Sequence, residues 1–169
     1  MDKTIGTAFD DSYVDLLRMA HARLAREQAP ISTITLAHEL YISLQGRDEL
    51  RFACREEFLA YASRAMRSLL VDMARARLAA KRHADLMPLT LGHDAADAGG
   101  TPEQLLALNQ ALERLGQLDE RLLRVAEMRA VMGMDVAEIA LAMKVSEPTV
   151  KRDWQRAKAF LHDTLGVPP

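Results

Sequence analysis

Two helix-start signals near the C-terminal end constrain this chain more than any other feature. Asp135 with Glu138 three residues on forms an Asp-x-x-Glu capping pair that opens a helix through Glu138-Ile139-Ala140-Leu141-Ala142-Met143. A turn follows at Lys144-Val145. Ser146 then stands where a side chain can cap the next helix, and Pro148 falls in its first turn, where a missing N–H costs nothing. Along that second helix Val150, Trp154, Ala157 and Leu161 make one apolar stripe, which leaves Thr149, Lys151, Arg152, Gln155 and Arg156 outward, with Glu147 and Asp153 as the acids among them. A scaffold helix, a tight turn and a second helix with a donor-rich start is the pattern of a helix-turn-helix shaped for a major groove. Any helical hairpin also has a buried stripe and a charged face, so plain packing is the competing reading of these residues.

Composition sets the rest of the frame. Of the 169 residues 49% are hydrophobic and only 5% aromatic, with Ala, Leu, Arg and Glu abundant, which favours an all-α fold. A single Cys54 makes no internal disulfide, and no apolar run is long enough to span a bilayer, so the expected location is cytoplasmic, with no membrane partner. A net charge of −2 means that any affinity for nucleic acid must be local. It is concentrated in one helix, from about Glu56 to His83, where Arg64, Arg67, Arg75, Arg77, Lys81 and Arg82 face the lone acid Asp72, and Phe58, Tyr61, Ala65, Leu69, Asp72 and Ala76 track one face. A merely solvated face is the plain alternative; if all these cations met duplex phosphates, the salt slope would be about −5.

The expected organisation is two small helical domains joined by a flexible linker, the C-terminal one a helix-turn-helix. Residues 10–29 read as a first helix with Leu16, Leu17, Ala20 and Leu24 inward, and 33–44 as a second with Leu36, Leu40 and Leu44 on one side, closed by Gly46. The stretch 86–101 is small and weakly periodic and reads as the linker. Thr101-Pro102-Glu103-Gln104 is a capping box that starts a helix running to about Leu115, and Asp119 caps another, with Leu122, Leu123, Ala126 and Val131, ended by Gly133. The domains are thus 1–85 and 102–169, each of a size that buries only about 60% of its unfolded surface and is marginal alone.

Catalytic patterns are missing. His38-Glu39 lacks the second histidine of a zinc-protease helix, the histidines are scattered, one cysteine cannot build a zinc site, and no phosphate-binding glycine loop occurs. The methionines read as core filler. No enzyme, cofactor, metal or small-molecule substrate is expected.

Phe58-x-x-Tyr61, then Met66-Arg67-Ser68-Leu69-Leu70-Val71-Asp72, then Arg75-x-Arg77 resembles the promoter-melting helix of bacterial extracytoplasmic-function (group 4) sigma factors of the sigma-70 family. Glu138-Ile139-Ala140, Thr149-Val150-Lys151-Arg152 and Ala157 are similar to their C-terminal helix-turn-helix, and the resemblance covers almost the whole chain in order. It implies an alternative sigma factor with core RNA polymerase and promoter DNA as partners. The 1–85 domain would bind polymerase through Leu36, Glu39 and Leu40 and read the melted −10 element through Tyr61, Arg64, Arg67, Ser68, Arg75 and Arg77. The 102–169 domain would read the −35 element through Thr149, Lys151, Arg152, Gln155 and Arg156. Tyr61 and Ser68 stand where many members carry Trp and Asn, and Lys144 where Gly is common. Acids that usually precede the docking stretch fall on hydroxyls, which makes Thr35, Thr33 and Ser32 candidate phosphorylation sites and a Ser/Thr kinase, or an anti-sigma factor, the expected regulator. The helix caps are the simpler reading of those hydroxyls. The alternative function is a dimeric helix-turn-helix regulator with an N-terminal helical interaction domain, which would have no use for the basic helix.

Overall fold

Each of the capping signals read above starts a helix in the computed structural model, which describes residues 1–27, 31–86 and 101–167. The order is α1 (Ile5–Glu27), α2 (Thr33–Leu44), α3 (Arg55–Leu86), α4 (Pro102–Leu118), α5 (Glu120–Ala126), a π-helical segment (Glu127–Val131), α6 (Val136–Met143) and α7 (Glu147–Leu165). Among the described residues the only extended pairing is an isolated antiparallel bridge between Lys3 and Phe52. No described helix is long and apolar enough to cross a membrane.

Thr101 caps α4 with its side chain on the Gln104 amide (3.2 Å) while the Gln104 side chain accepts from the Thr101 amide (3.0 Å). Asp119 caps α5 by accepting from the Arg121 and Leu122 amides at 2.9 and 3.2 Å. Ser32 caps α2 through the Thr35 amide. Gly46, one residue beyond the C-cap Gln45, takes φ of 82°, a region that costs glycine nothing. α1 begins earlier than the expected residue 10, because Thr4 accepts from the Thr7 amide at 3.3 Å and serves as the start. The expected linker lies, between Leu86 and Thr101, outside the described residues.

The N-terminal core is built on Leu16, Leu36, Leu40, Leu44, Phe58, Leu59 and Met66, all fully buried. Aromatic contacts pin its rim, with the Phe9 ring 4.8 Å from Tyr41 and the Phe52 ring 5.3 Å from Phe58 in an edge-on arrangement. The C-terminal core gathers Leu112, Leu115, Val125, Met128, Met134, Ile139, Val150 and Ala157. The two are continuous: α3 packs on α1 and α2 on one side and on α4, α6 and the π segment on the other.

That sandwich corrects the expected face of α3. The buried positions are Phe58, Leu59, Ala62, Ser63, Met66, Leu70, Val71 and Ala74, whereas Asp72 and Ala76 are exposed and Tyr61, Ala65 and Leu69 are only half-buried. A single amphipathic stripe describes a helix with one neighbour; α3 has neighbours on two sides, so its buried surface is broader and centred one position away. The helix after Asp119 is also not uniform. It widens into the π segment at Glu127–Val131, so that Met132 N reaches back to Glu127 O.

Candidate nucleic-acid interface

α6 and α7 form the predicted hairpin. The Asp135 side chain accepts from the Glu138 amide and Glu138 from the Asp135 amide, both at 2.8 Å, which seats α6. α6 ends at Lys144 in the left-handed region (φ 56°, ψ 43°), where its amide and that of Val145 return to Leu141 and Ala140 carbonyls. A non-glycine residue is strained there. Lys144 Nζ lies 2.9 Å from Glu57 Oε1, and this contact draws the Glu57 carboxyl below its usual range and raises the Lys144 ammonium. Ser146 caps α7 at the Thr149 amide, and its hydroxyl lies 2.9 Å from that of Thr149.

Along α7, Val150, Asp153, Ala157 and Leu161 are buried and Trp154 is half-buried. Asp153 is therefore not one of the outward acids expected from the sequence. Its carboxylate is fully buried, with Oδ2 2.8 Å from Arg121 Nε and Oδ1 accepting from Arg121 Nη2 at 3.0 Å, so it ties α7 to α5. Its place in the 150–153–157–161 stripe, one turn from each apolar neighbour, was the signal that could have revealed this. Lys151, Arg152, Gln155 and Arg156 are exposed on the opposite face, and no described acid forms an ion pair with Lys151, Arg152 or Arg156. Thr149 is half-buried and engaged with Ser146.

The basic helix falls into two stretches. Arg75 and Arg77 are exposed, as are Lys81 and Arg82; Arg75 has only a loose contact of 3.8 Å to Asp72 one turn away. Arg64 and Arg67 instead meet the C-terminal half. Arg67 Nη2 is 2.9 Å from Glu127 Oε1, out of line for a hydrogen bond, and Arg67 Nη1 donates to Asn109 Oδ1 at 3.2 Å. Arg64 lies 3.5 Å from Glu127 and 3.6 Å from Glu120. Glu127 is 1% exposed, and burial raises its carboxyl above the usual range against the opposing pull of Arg67 and Arg64. Ser68 is exposed. Tyr61 is half-buried, its ring 5.6 Å from Phe52 and its hydroxyl accepting from Arg47. Glu127, Glu120 and Asn109 escaped the sequence reading because nothing local marks a partner so distant in the chain.

On α2, Leu36 and Leu40 are fully buried and face the core, which corrects their expected place in a partner-binding surface. A side chain with no exposed area offers nothing to a partner. The exposed positions of the helix are Ile34, Thr35, His38, Glu39, Ile42 and Ser43. Ser32 is the N-cap, Thr33 is half-buried, and the exposed Thr35 hydroxyl lies 2.9 Å from Ser32 Oγ.

Among the described residues no cluster of His, Cys, Asp and Glu is arranged to hold a metal. A family model described as ECF sigma factor matches residues 2–167. No curated protein and no solved structure matches the chain.

Proposed function

We infer the function from one premise, that the chain belongs to the ECF sigma factor family, its family model spanning residues 2–167. The protein is accordingly a sigma factor that acts in transcription initiation, with core RNA polymerase and promoter DNA as partners. The finer reading is a group 4 factor, placed in the cytoplasm, in which residues 1–85 dock on polymerase and engage the melted −10 strand, 86–101 link, and 102–169 read the −35 duplex. The observation that carries it is the exposed, unpaired set Lys151, Arg152, Gln155 and Arg156 on the first turns of α7, held at a fixed angle by the Ser146 cap and the Asp153–Arg121 tie. Such a set supplies both phosphate and base-edge donors to a major groove.

On α3, Arg75 and Arg77 are the exposed cations offered to a single-stranded backbone, with Tyr61, Arg64, Arg67 and Ser68 earlier on the same helix. The docking surface shifts from the expected leucines to the exposed side of α2, with Glu39 flanked by Ile34, Thr35, His38 and Ile42. Thr35 is the first choice for a phosphate that supplies the acid this surface lacks, with Thr33 and Ser32 behind it. Ser32 is occupied as a cap, and a phosphate on the exposed first turn is favoured by the helix dipole. A kinase or an anti-sigma factor would then be the regulator.

The test is co-elution of the purified chain with core polymerase on gel filtration, followed by transcription from a promoter library. A stable homodimer that neither binds polymerase nor directs initiation would replace this reading by that of a dimeric regulator.

A further inference from the structure

Before α1 begins, the chain runs alongside the connection between α2 and α3. The Lys3 amide donates to the Phe52 carbonyl at 2.9 Å and the Phe52 amide donates to the Lys3 carbonyl at 3.0 Å, the reciprocal pair of an antiparallel bridge. Phe52 is 6% exposed, so its backbone groups need partners inside the protein, and Lys3 supplies both. Lys3 is itself anchored to α1: its Nζ lies 2.6 Å from Asp11 Oδ2, and the next residue, Thr4, starts the helix at the Thr7 amide. The connection 45–54 carries two side chains that reach Tyr61. The Phe52 ring stands 5.6 Å from the Tyr61 ring, while Arg47 donates to the Tyr61 hydroxyl and places its guanidinium carbon 6.0 Å from the ring centroid. We propose that the segment before α1 is a clasp on the connection 45–54 that fixes the Tyr61 ring for a melted base, which makes Lys3 a positioning residue for −10 recognition. This inference rests on the reading of Tyr61 as a contact to the melted strand.

A tyrosine ring that turns freely must lose that freedom each time a base stacks on it, and a ring already held in one orientation does not. Tyr61 is held by side chains from a connection that contains no helix. Within that connection the Leu50 amide donates to the Arg47 carbonyl at 3.0 Å and the Ala53 amide to Glu57 Oε2 at 2.8 Å, so each end is turned locally. Phe52 lies between those turns. Its ring stands edge-on 5.3 Å from the fully buried Phe58, so the core fixes the ring while the bridge to Lys3 fixes the backbone. The Lys3 and Asp11 side chains are 41% and 49% exposed, and a pair so exposed adds little. The backbone bridge therefore carries the clasp. Asp11→Ala retains it, whereas Lys3→Pro, which has no N–H to give the Phe52 carbonyl, opens it.

The experiment uses holoenzyme assembled from core polymerase and the full chain, and reads transcription from promoters randomised at the melted and the upstream elements. Sequence preference at each position is compared for the wild type, Tyr61→Ala, Asp11→Ala, Lys3→Pro and Arg47→Ala, the last two also in the Tyr61→Ala background. Lys3→Pro and Arg47→Ala are expected to reduce preference roughly fivefold at the positions where Tyr61→Ala abolishes it, the low end of what a base stacked on an aromatic ring contributes. In the Tyr61→Ala background they are expected to remove nothing more, because residues that act through one ring are not additive. Asp11→Ala is expected to match the wild type, and upstream preference to stay unchanged in every variant. Arg47 is exposed, so its replacement spares the core and decides the test where Lys3→Pro lowers the folded yield. If Tyr61→Ala flattens a preference that Lys3→Pro and Arg47→Ala leave intact, the clasp is refuted and the reading of Tyr61 stands. If Tyr61→Ala changes no preference, the reading of Tyr61 fails and the inference falls with it. Equal loss of output at every promoter in Lys3→Pro marks a general role in folding, and further loss in the Tyr61→Ala background marks a route that bypasses the ring; either result overturns the clasp.

Discussion

The tie between Asp153 and Arg121 yields an asymmetric prediction. The carboxylate has no exposed area, while the Arg121 side chain is 47% exposed and lies 2.8 Å away. In Arg121→Ala the anion is stranded inside the C-terminal core, and breaking a buried pair in this way costs about 3–5 kcal/mol. For a chain of this length that lowers Tm by roughly 6–20 °C. Asp153→Ala removes the buried member instead, and Arg121 can turn into water, so the loss is limited to the exposed pair and a small void, about 1–2 kcal/mol. The double variant Arg121→Ala/Asp153→Ala should therefore be more stable than Arg121→Ala alone, an outcome opposite to additive losses. Thermal and urea unfolding of the full chain followed by circular dichroism measures all of these. Equal destabilisation by the two single variants, or a double variant that is the least stable of the set, would refute the assignment of Asp153 as a buried anion held by Arg121. Because the same tie orients α7, duplex binding of Arg121→Ala should fade at lower temperature than that of the wild type.

Arg152→Ala should weaken upstream duplex recognition by about 1–3 kcal/mol if the guanidinium reads a base edge; a sequence-scrambled duplex separates the cases, since a pure phosphate contact loses affinity equally on both. Arg75→Ala with Arg77→Ala should reduce permanganate reactivity of promoter thymines while polymerase co-elution stays normal, and loss of co-elution in the folded variant would move these cations to the polymerase. Burial holds the Glu127 carboxyl above its ordinary value of 4.5, so the folded chain binds this proton more tightly than the unfolded chain. The associated stability is present below 4.5 and is lost as pH rises through the raised value; the wild type should thus gain on Glu127→Gln as pH falls through the raised value toward 4.5, and a constant difference in urea unfolding would contradict this. Thr35→Glu should raise affinity for core polymerase relative to Thr35→Ala, by about 5- to 150-fold if the added charge is worth 1–3 kcal/mol, and identical binding of the two would leave Thr35 as a partner of the Ser32 cap only.

What could be read from the sequence was local. A cap and its partner are three residues apart, so Asp135 with Glu138, Thr101 with Gln104, Ser146 with its helix and Asp119 with its own all identify themselves without knowledge of the fold. The α6–α7 hairpin is made almost wholly of such signals, which is why its register and most of the outward set on α7 were legible, apart from Asp153, whose partner on α5 lies far back in the chain, and Thr149, which is half-buried against the Ser146 cap. Amphipathic periodicity carries less information. It says which side of a helix prefers to be covered, and for α2 it identified Leu36, Leu40 and Leu44 correctly as one face, but only the packed structure distinguishes a face turned to the core from one turned to a partner. α3 shows the limit most clearly. Its arginines are polar by composition, and polarity alone predicts water or phosphate around them; nothing within one helical turn announces Glu127 or Glu120. Charge complementarity between distant segments is invisible to any local pattern, because a carboxylate on α5 or the π segment and a phosphate on a nucleic acid satisfy the same guanidinium by the same chemistry. The pairs at Arg64 and Arg67 follow from that equivalence. In this structure the carboxylates of Glu127 and Glu120 are the anions that those guanidinium groups meet.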